Sequence, residues 1–165
     1  SFVSSNKKLT ATKVDEKTRT VHEFNNRPAV REYADKINVM HDKVAENFMK
    51  NPLGLIANGE PYVRSPQRLQ NEDMIFYCNI KEGMELDVLE STDIIEDTTR
   101  AISDYKGASG LINFHCILRT LELEQNGQME AYGKIFKDIP TIGFSTYGEE
   151  YIGHINQTST MLAFR

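Results

Sequence analysis

Cysteine is scarce in this chain, and that scarcity restricts the fold. Two cysteines in 165 residues, Cys78 and Cys116, cannot build a disulfide framework. They suit a reducing, cytoplasmic compartment instead. No apolar run is long enough to cross a bilayer, and no signal-peptide pattern is present. Positive charge is not in excess either. The net charge of -5, with both signs spread throughout, argues against a broad nucleic-acid surface. Lys7-Lys8 is the only basic cluster and reads as a solvated end. Also missing are Cys-x-x-Cys, His-Glu-x-x-His and the Cys-x-x-Cys-His haem-attachment pattern, so the residues announce no metal site and no cofactor. Heptads that would specify a coiled-coil assembly are lacking, as are repeats and low-complexity linkers.

What is present is a globular pattern. Hydrophobic residues make up 39% of the chain, and eight Phe with seven Tyr can fill a core. Leu9 to Val14 and Thr18 to Phe24 read as a β-hairpin turning at Asp15-Glu16-Lys17. Asn26 is placed to cap a helix that starts through Pro28 and carries Val30, Tyr33, Ala34 and Ile37. Val44, Ala45, Phe48 and Met49 form a second helical stripe, ended by Pro52 and Gly54.

Leu53 to Ala57, the Asn58-Gly59 turn and Pro61 to Arg64 predict another hairpin. Met74 to Ile80 reads as a strand. The Lys81-Glu82-Gly83 turn then leads to a half-buried strand in which Met84, Leu86 and Val88 alternate with Glu85 and Asp87. Ser91-Thr92-Asp93 opens an amphipathic helix. From Leu111 to Leu118 a strand places Ile112, Phe114, Cys116 and Leu118 on one face, with Asn113 and His115 on the other. A helix over Gln128 to Phe136 and strands at Ile142–Tyr147 and Ile155–Phe164 follow. The fold class is mixed α/β (α+β), with a mixed or largely antiparallel sheet and helices packed against it.

The chemically richest stretch is Gly143-Phe144-Ser145-Thr146-Tyr147-Gly148-Glu149-Glu150. Two glycines permit close backbone approach, and hydroxyls with carboxylates supply donors, acceptors and charge. Thr146 and Tyr147 can bind a ligand oxygen, and Glu149 can accept from an ammonium or hold Arg119. Arg119 can orient a carboxylate or lower the Cys116 thiol pKa. Asn156 extends the polar rim, and Arg64 offers an anion-binding group from a distant segment. His115 falls on the strand face opposite Cys116, a poor arrangement for a shared metal or for a nucleophile–base pair.

The C-terminal half resembles the C-terminal domain of FIST proteins, which are intracellular signal-transduction sensors. The matching pieces are Phe114-His115-Cys116 with Arg119, the Gly-Phe-x-Thr-x-Gly-Glu turn from Gly143 to Glu149, and Asn156-Gln157-Thr158. Earlier pieces also match, namely Asn26-Arg27-Pro28-Ala29 with Tyr33, Pro52-Leu53-Gly54 and Val63-Arg64-Ser65. The resemblance makes 18–165 the FIST C-terminal-like domain. It makes 1–17 an extension or the end of a preceding FIST N-terminal region that is otherwise missing. The start at Ser1 rather than Met agrees with an excised piece of a longer protein.

The resemblance implies a non-enzymatic sensory domain that binds a small polar metabolite, amino acids among the candidates. An attached signalling domain such as a chemotaxis receptor would read its occupancy. Two alternatives stand beside it. One is a haem-based nitric-oxide sensor, with His22, His41, His115 and His154 as possible axial ligands. The other is a thiol-dependent hydrolase using Cys116.

Overall fold

The computed structural model describes residues 2–165, which form two compact units, Phe2–Ser91 and Thr92–Arg165. Both mix strands with helices, so the α+β class expected from the sequence holds.

The first unit is an antiparallel sheet. Its strands are β1 (Phe2–Asp15), β2 (Thr20–Phe24), β3 (Arg27–Pro28), β4 (Leu53–Ala57), β5 (Glu60–Arg64), β6 (Pro66–Gln70), β7 (Asp73–Phe76) and β8 (Glu85–Ser91). They lie in the order β5-β4-β8-β1-β2-β7-β6, with β3 added onto β2. The two predicted hairpins are present as β1–β2 and β4–β5. The second turns through Asn58 and Gly59, both at positive φ, which is the geometry that makes Asn-Gly a hairpin signal. Pro61 falls on β5, an edge strand, where its missing N–H costs no ladder bond.

Helix α1 (Ala29–Ile37) lays Ala29, Val30, Tyr33 and Ala34 onto this sheet. There they join Leu9, Val21, Phe24, Leu53, Phe76 and Leu86 in one apolar core. The helix starts at Pro28 without any side-chain cap. Asn26 is instead in a left-handed turn at φ 61, with its N–H donated to Thr12 Oγ1 at 2.9 Å. The second helical stripe is a 3₁₀ helix, His41–Asn47.

Strand β7 stops at Phe76, short of Ile80. Strand β8 is not half-buried, because Leu86, Asp87, Val88 and Leu89 are all enclosed between β4 and β1. Asp87 tolerates this by accepting a hydrogen bond from Ser4 Oγ.

The second unit holds most of the candidate site residues. It contains α2 (Ile94–Ser103), β9 (Gly110–Cys116), α3 (Ile117–Gln125), α4 (Met129–Lys134), β10 (Thr141–Thr146), β11 (Glu149–Tyr151), β12 (Gly153–Ile155) and β13 (Ser159–Phe164). Asp93 caps α2 through its carboxylate and the Glu96 N–H at 2.8 Å. Strand β9 is central in a three-stranded sheet, with β10 parallel on one side and β13 antiparallel on the other. Strands β11 and β12 make a small separate hairpin.

The expected strand through Leu118 ends at Cys116, where α3 begins. Residues 117–125, Ile-Leu-Arg-Thr-Leu-Glu-Leu-Glu-Gln, are dominated by helix formers that are not β-branched, and these outweigh the short strand-like alternation. This early stop puts Arg119 in the first turn of a helix and leaves Cys116 at the junction.

Candidate functional site

The register of β9 sorts its residues. Leu111, Asn113 and His115 are buried, whereas Ile112 and Phe114 on the other face are only partly covered. Two polar side chains therefore sit on the enclosed face, opposite Gly143 and Ser145 of β10 and beside Ser159 of β13.

Gly143 is required at its position. A Cβ there would stand 2.1 Å from the Asn113 carbonyl oxygen, so the parallel pair closes only without a side chain.

Most of the residues singled out in the sequence gather at the end of β9. The Cys116 N–H donates to the Thr158 carbonyl at 2.9 Å, and its Sγ accepts the Gln157 N–H at 3.3 Å. Thr146 Oγ1 donates to Glu149 Oε1, and Arg119 Nη2 donates to Thr98 Oγ1 at 3.1 Å. Asn156 Nδ2 lies 3.1 Å from His154 Nε2. Cys116, Arg119, Glu149, Asn156 and Gln157 are all buried. The cluster is knitted to itself and offers little surface.

Electrostatics follow from that burial. Desolvation pushes the Glu149 carboxyl up, partly offset by the Thr146 and Cys116 hydrogen bonds and the Arg119 charge. Burial pushes the Cys116 thiol up, and the Glu149 charge pushes it further. A thiol held protonated beside a carboxylate is a poor nucleophile. Two further candidates are not part of this bonded cluster as described within the second unit. Tyr147 is 86% exposed. Arg64 belongs to β5 in the first unit, where burial raises the Cys78 thiol and the Arg64 charge pulls it back.

The concavity lies on the other side of β9. A cleft of about 340 Å³ is bounded by residues of β9, α3, α4 and β10 within the second unit. Leu123, Met129 and Phe136 contribute apolar walls, and Thr120 and Ser145 share a hydroxyl hydrogen bond of 2.9 Å.

A polar network spans the cleft floor. Ser159 Oγ donates to Asn113 Oδ1 at 2.7 Å, Asn113 Nδ2 donates to Tyr132 Oη at 3.2 Å, and Tyr132 Oη meets His115 Nδ1 at 2.8 Å. His115 Nε2 is buried with no hydrogen-bond partner. Burial, reinforced by the Arg119 charge, pushes the His115 pKa down to about 4, so its imidazole is neutral at physiological pH.

Sequence reasoning placed Asn113 and His115 on one strand face and Tyr132 on a docking helix. It did not join them. The available signal was a pair of polar residues, two apart, facing into an otherwise apolar layer.

Haem ligation asks for an imidazole nitrogen open to a macrocycle. His22 Nδ1 is paired with Asp73 at 2.9 Å, His154 is bonded to Asn156, and His41 is exposed on its 3₁₀ helix. His115 Nε2 is closed off from solvent. Of the four, His115 alone lines the cleft, and its Nε2 is enclosed, so the cleft as it stands presents no open imidazole nitrogen to a haem. Among the described residues, no group of three His, Cys, Asp or Glu side chains could hold a metal ion, and no helix is long and apolar enough to cross a membrane.

The family model described as the FIST C domain matches residues 29–151. No curated protein and no solved structure matches the chain.

Proposed function

We propose that this chain, which belongs to the FIST C domain family of signal-transduction sensory domains, senses a small molecule in the cleft beneath α4. The observation carrying this reading is the floor of that cleft. A bonded polar network ends in a buried His115 nitrogen with no partner, beneath walls that are largely apolar. Pockets that hold small ligands combine these features, with apolar walls for affinity and a few fixed polar groups for orientation.

The buried cluster of Cys116, Arg119, Thr146, Glu149 and Asn156 then serves as a brace. It pins the β9–α3 junction, so that His115 and the first turn of α3 keep their places on the cleft. Arg119 acts on His115 through its charge.

Occupancy is relayed to an attached effector, such as a chemotaxis receptor or signalling enzyme, in a cytoplasmic setting. A FIST N-terminal region completes the sensory module. Differential affinity for two arrangements of α4 would supply the signal. The raised Cys116 thiol and its carboxylate neighbour favour this reading over thiol catalysis.

Gly133 provides the test. It lines the cleft, and a Cβ added there meets nothing within 4 Å. Amino acids, small carboxylates, purines and uncharged aromatics are screened by thermal shift against the wild type and Gly133→Leu. A compound that raises the wild-type Tm is expected to lose that effect in Gly133→Leu. An effect that survives Gly133→Leu but disappears in Glu149→Gln would move the site to the buried cluster.

A further inference from the structure

The cleft floor fixes where its protons are. Ser159 spends its hydroxyl proton on Asn113 Oδ1 at 2.7 Å, which leaves the Asn113 amide to donate to Tyr132 Oη at 3.2 Å. Tyr132 therefore has one proton to give. Its nearer acceptor is His115 Nδ1 at 2.8 Å, since Ser159 Oγ stands at 3.5 Å. With Nδ1 accepting, a neutral His115 carries its hydrogen on Nε2. That N–H is the buried group with no acceptor. An unmet buried donor is costly, and whatever brings an acceptor to it recovers that cost.

The surroundings define the rest of the partner. None of the residues lining the cleft is charged at neutral pH, and Leu123, Met129 and Phe136 supply apolar surface. A carboxylate or ammonium would lose its hydration there with no charged side chain on the lining to pair with; Arg119, whose charge is felt at His115, donates to Thr98 instead. An apolar body loses nothing.

The His115 nitrogen is shielded in the free protein, so an acceptor reaches it only as a neighbouring element moves. Helix α4 is the element best able to do so, because none of its residues is buried and Tyr132 is its only link to the network described above.

Resting on the cleft as the sensory site, we propose that its ligand is an uncharged, mainly apolar small molecule with one hydrogen-bond acceptor, seated on His115 Nε2–H as α4 shifts.

Four probes of nearly equal size separate the terms: acetophenone (neutral, one acceptor), ethylbenzene (neutral, none), benzoate (anionic) and benzamidine (cationic). Binding is followed by NMR, using the backbone amides of α4 and the His115 side-chain nitrogens. Acetophenone is expected to perturb both sets and to shift the Nε2 resonance. Ethylbenzene should bind about fivefold more weakly and the two charged probes at least about tenfold more weakly.

In His115→Phe the preference for acetophenone over ethylbenzene should fall to about one. Should that variant fold poorly, Tyr132→Phe, which unlocks the His115 tautomer, should shrink the same preference. Tighter binding of benzoate or benzamidine, or no binding of any probe in the cleft, overturns the ligand class. If the class fails while a screened compound still depends on Gly133, the cleft survives as the sensory site. If that dependence is absent too, the site itself is wrong.

Discussion

His115 carries an acid-sensitivity that its burial dictates. Its folded-state pKa lies near 4, below the ordinary value of 6.5. In the interval between them the unfolded chain binds more protons, so stability falls as pH drops. The sign is that of a depressed group: its contribution is complete above about pH 6.5 and is lost on the way down to about pH 4. The full shift would be worth about 3 kcal/mol, but the ring borders an open cleft, so about 2 kcal/mol is expected.

Glu149 works in the opposite sense, because its raised pKa favours the protonated folded form as acid is added. Subtracting the urea-derived stability curve of His115→Gln from that of the wild type removes the Glu149 contribution common to both. The difference should slope between pH 6.5 and 4 and be flat above. A flat difference throughout would mean that the imidazole is not enclosed. At this scale the sequence exposed the residue types but not their partners. Glu149 and Thr146 are three apart and were legible together, whereas the His115 network joins positions 113, 115, 132 and 159. Only strand register and helix docking bring those positions together.

Among the elements, turns were the most readable. Asn58-Gly59 and Lys81-Glu82-Gly83 needed positive φ, which local chemistry announces. Helix α3 was unreadable as a boundary. Ile117 and Leu118 continue the alternation of β9, and no capping side chain marks the change at Cys116. Strand β8 was misjudged because burial on both faces depends on its neighbours in the sheet.

The β9–β10 pair depends on Gly143 in a way that composition cannot convey. In Gly143→Ala the new methyl would collide with the Asn113 backbone, an unyielding neighbour. Overpacking of this kind typically costs about 1–3 kcal/mol, and a backbone clash belongs at the upper end. Urea denaturation should show a loss of about 3 kcal/mol. Weaker cleft binding should accompany it, because Gly143 and Asn113 both line the cleft. A loss below about 0.5 kcal/mol would mean that the strands are not so closely paired.

For the whole molecule, family membership spans residues 29–151 and so draws on both compact units, whereas the proposed binding cleft belongs to the second alone. The family was legible from ordered motifs. The cleft was not, because the motif-rich segment 143–150 gives it only Gly143, Phe144 and Ser145, while its Thr146 and Glu149 go to the separate buried cluster.

Occupancy of the cleft should be felt by α4. Native-state hydrogen exchange tests it at the Tyr132, Ile135 and Phe136 amides, which bond to Gln128, Tyr132 and Gly133 carbonyls. With acetophenone at ten times its dissociation constant, exchange at these three amides should slow about tenfold. Unchanged exchange there, with the ligand bound or with slowing confined to the first unit, would contradict the claim.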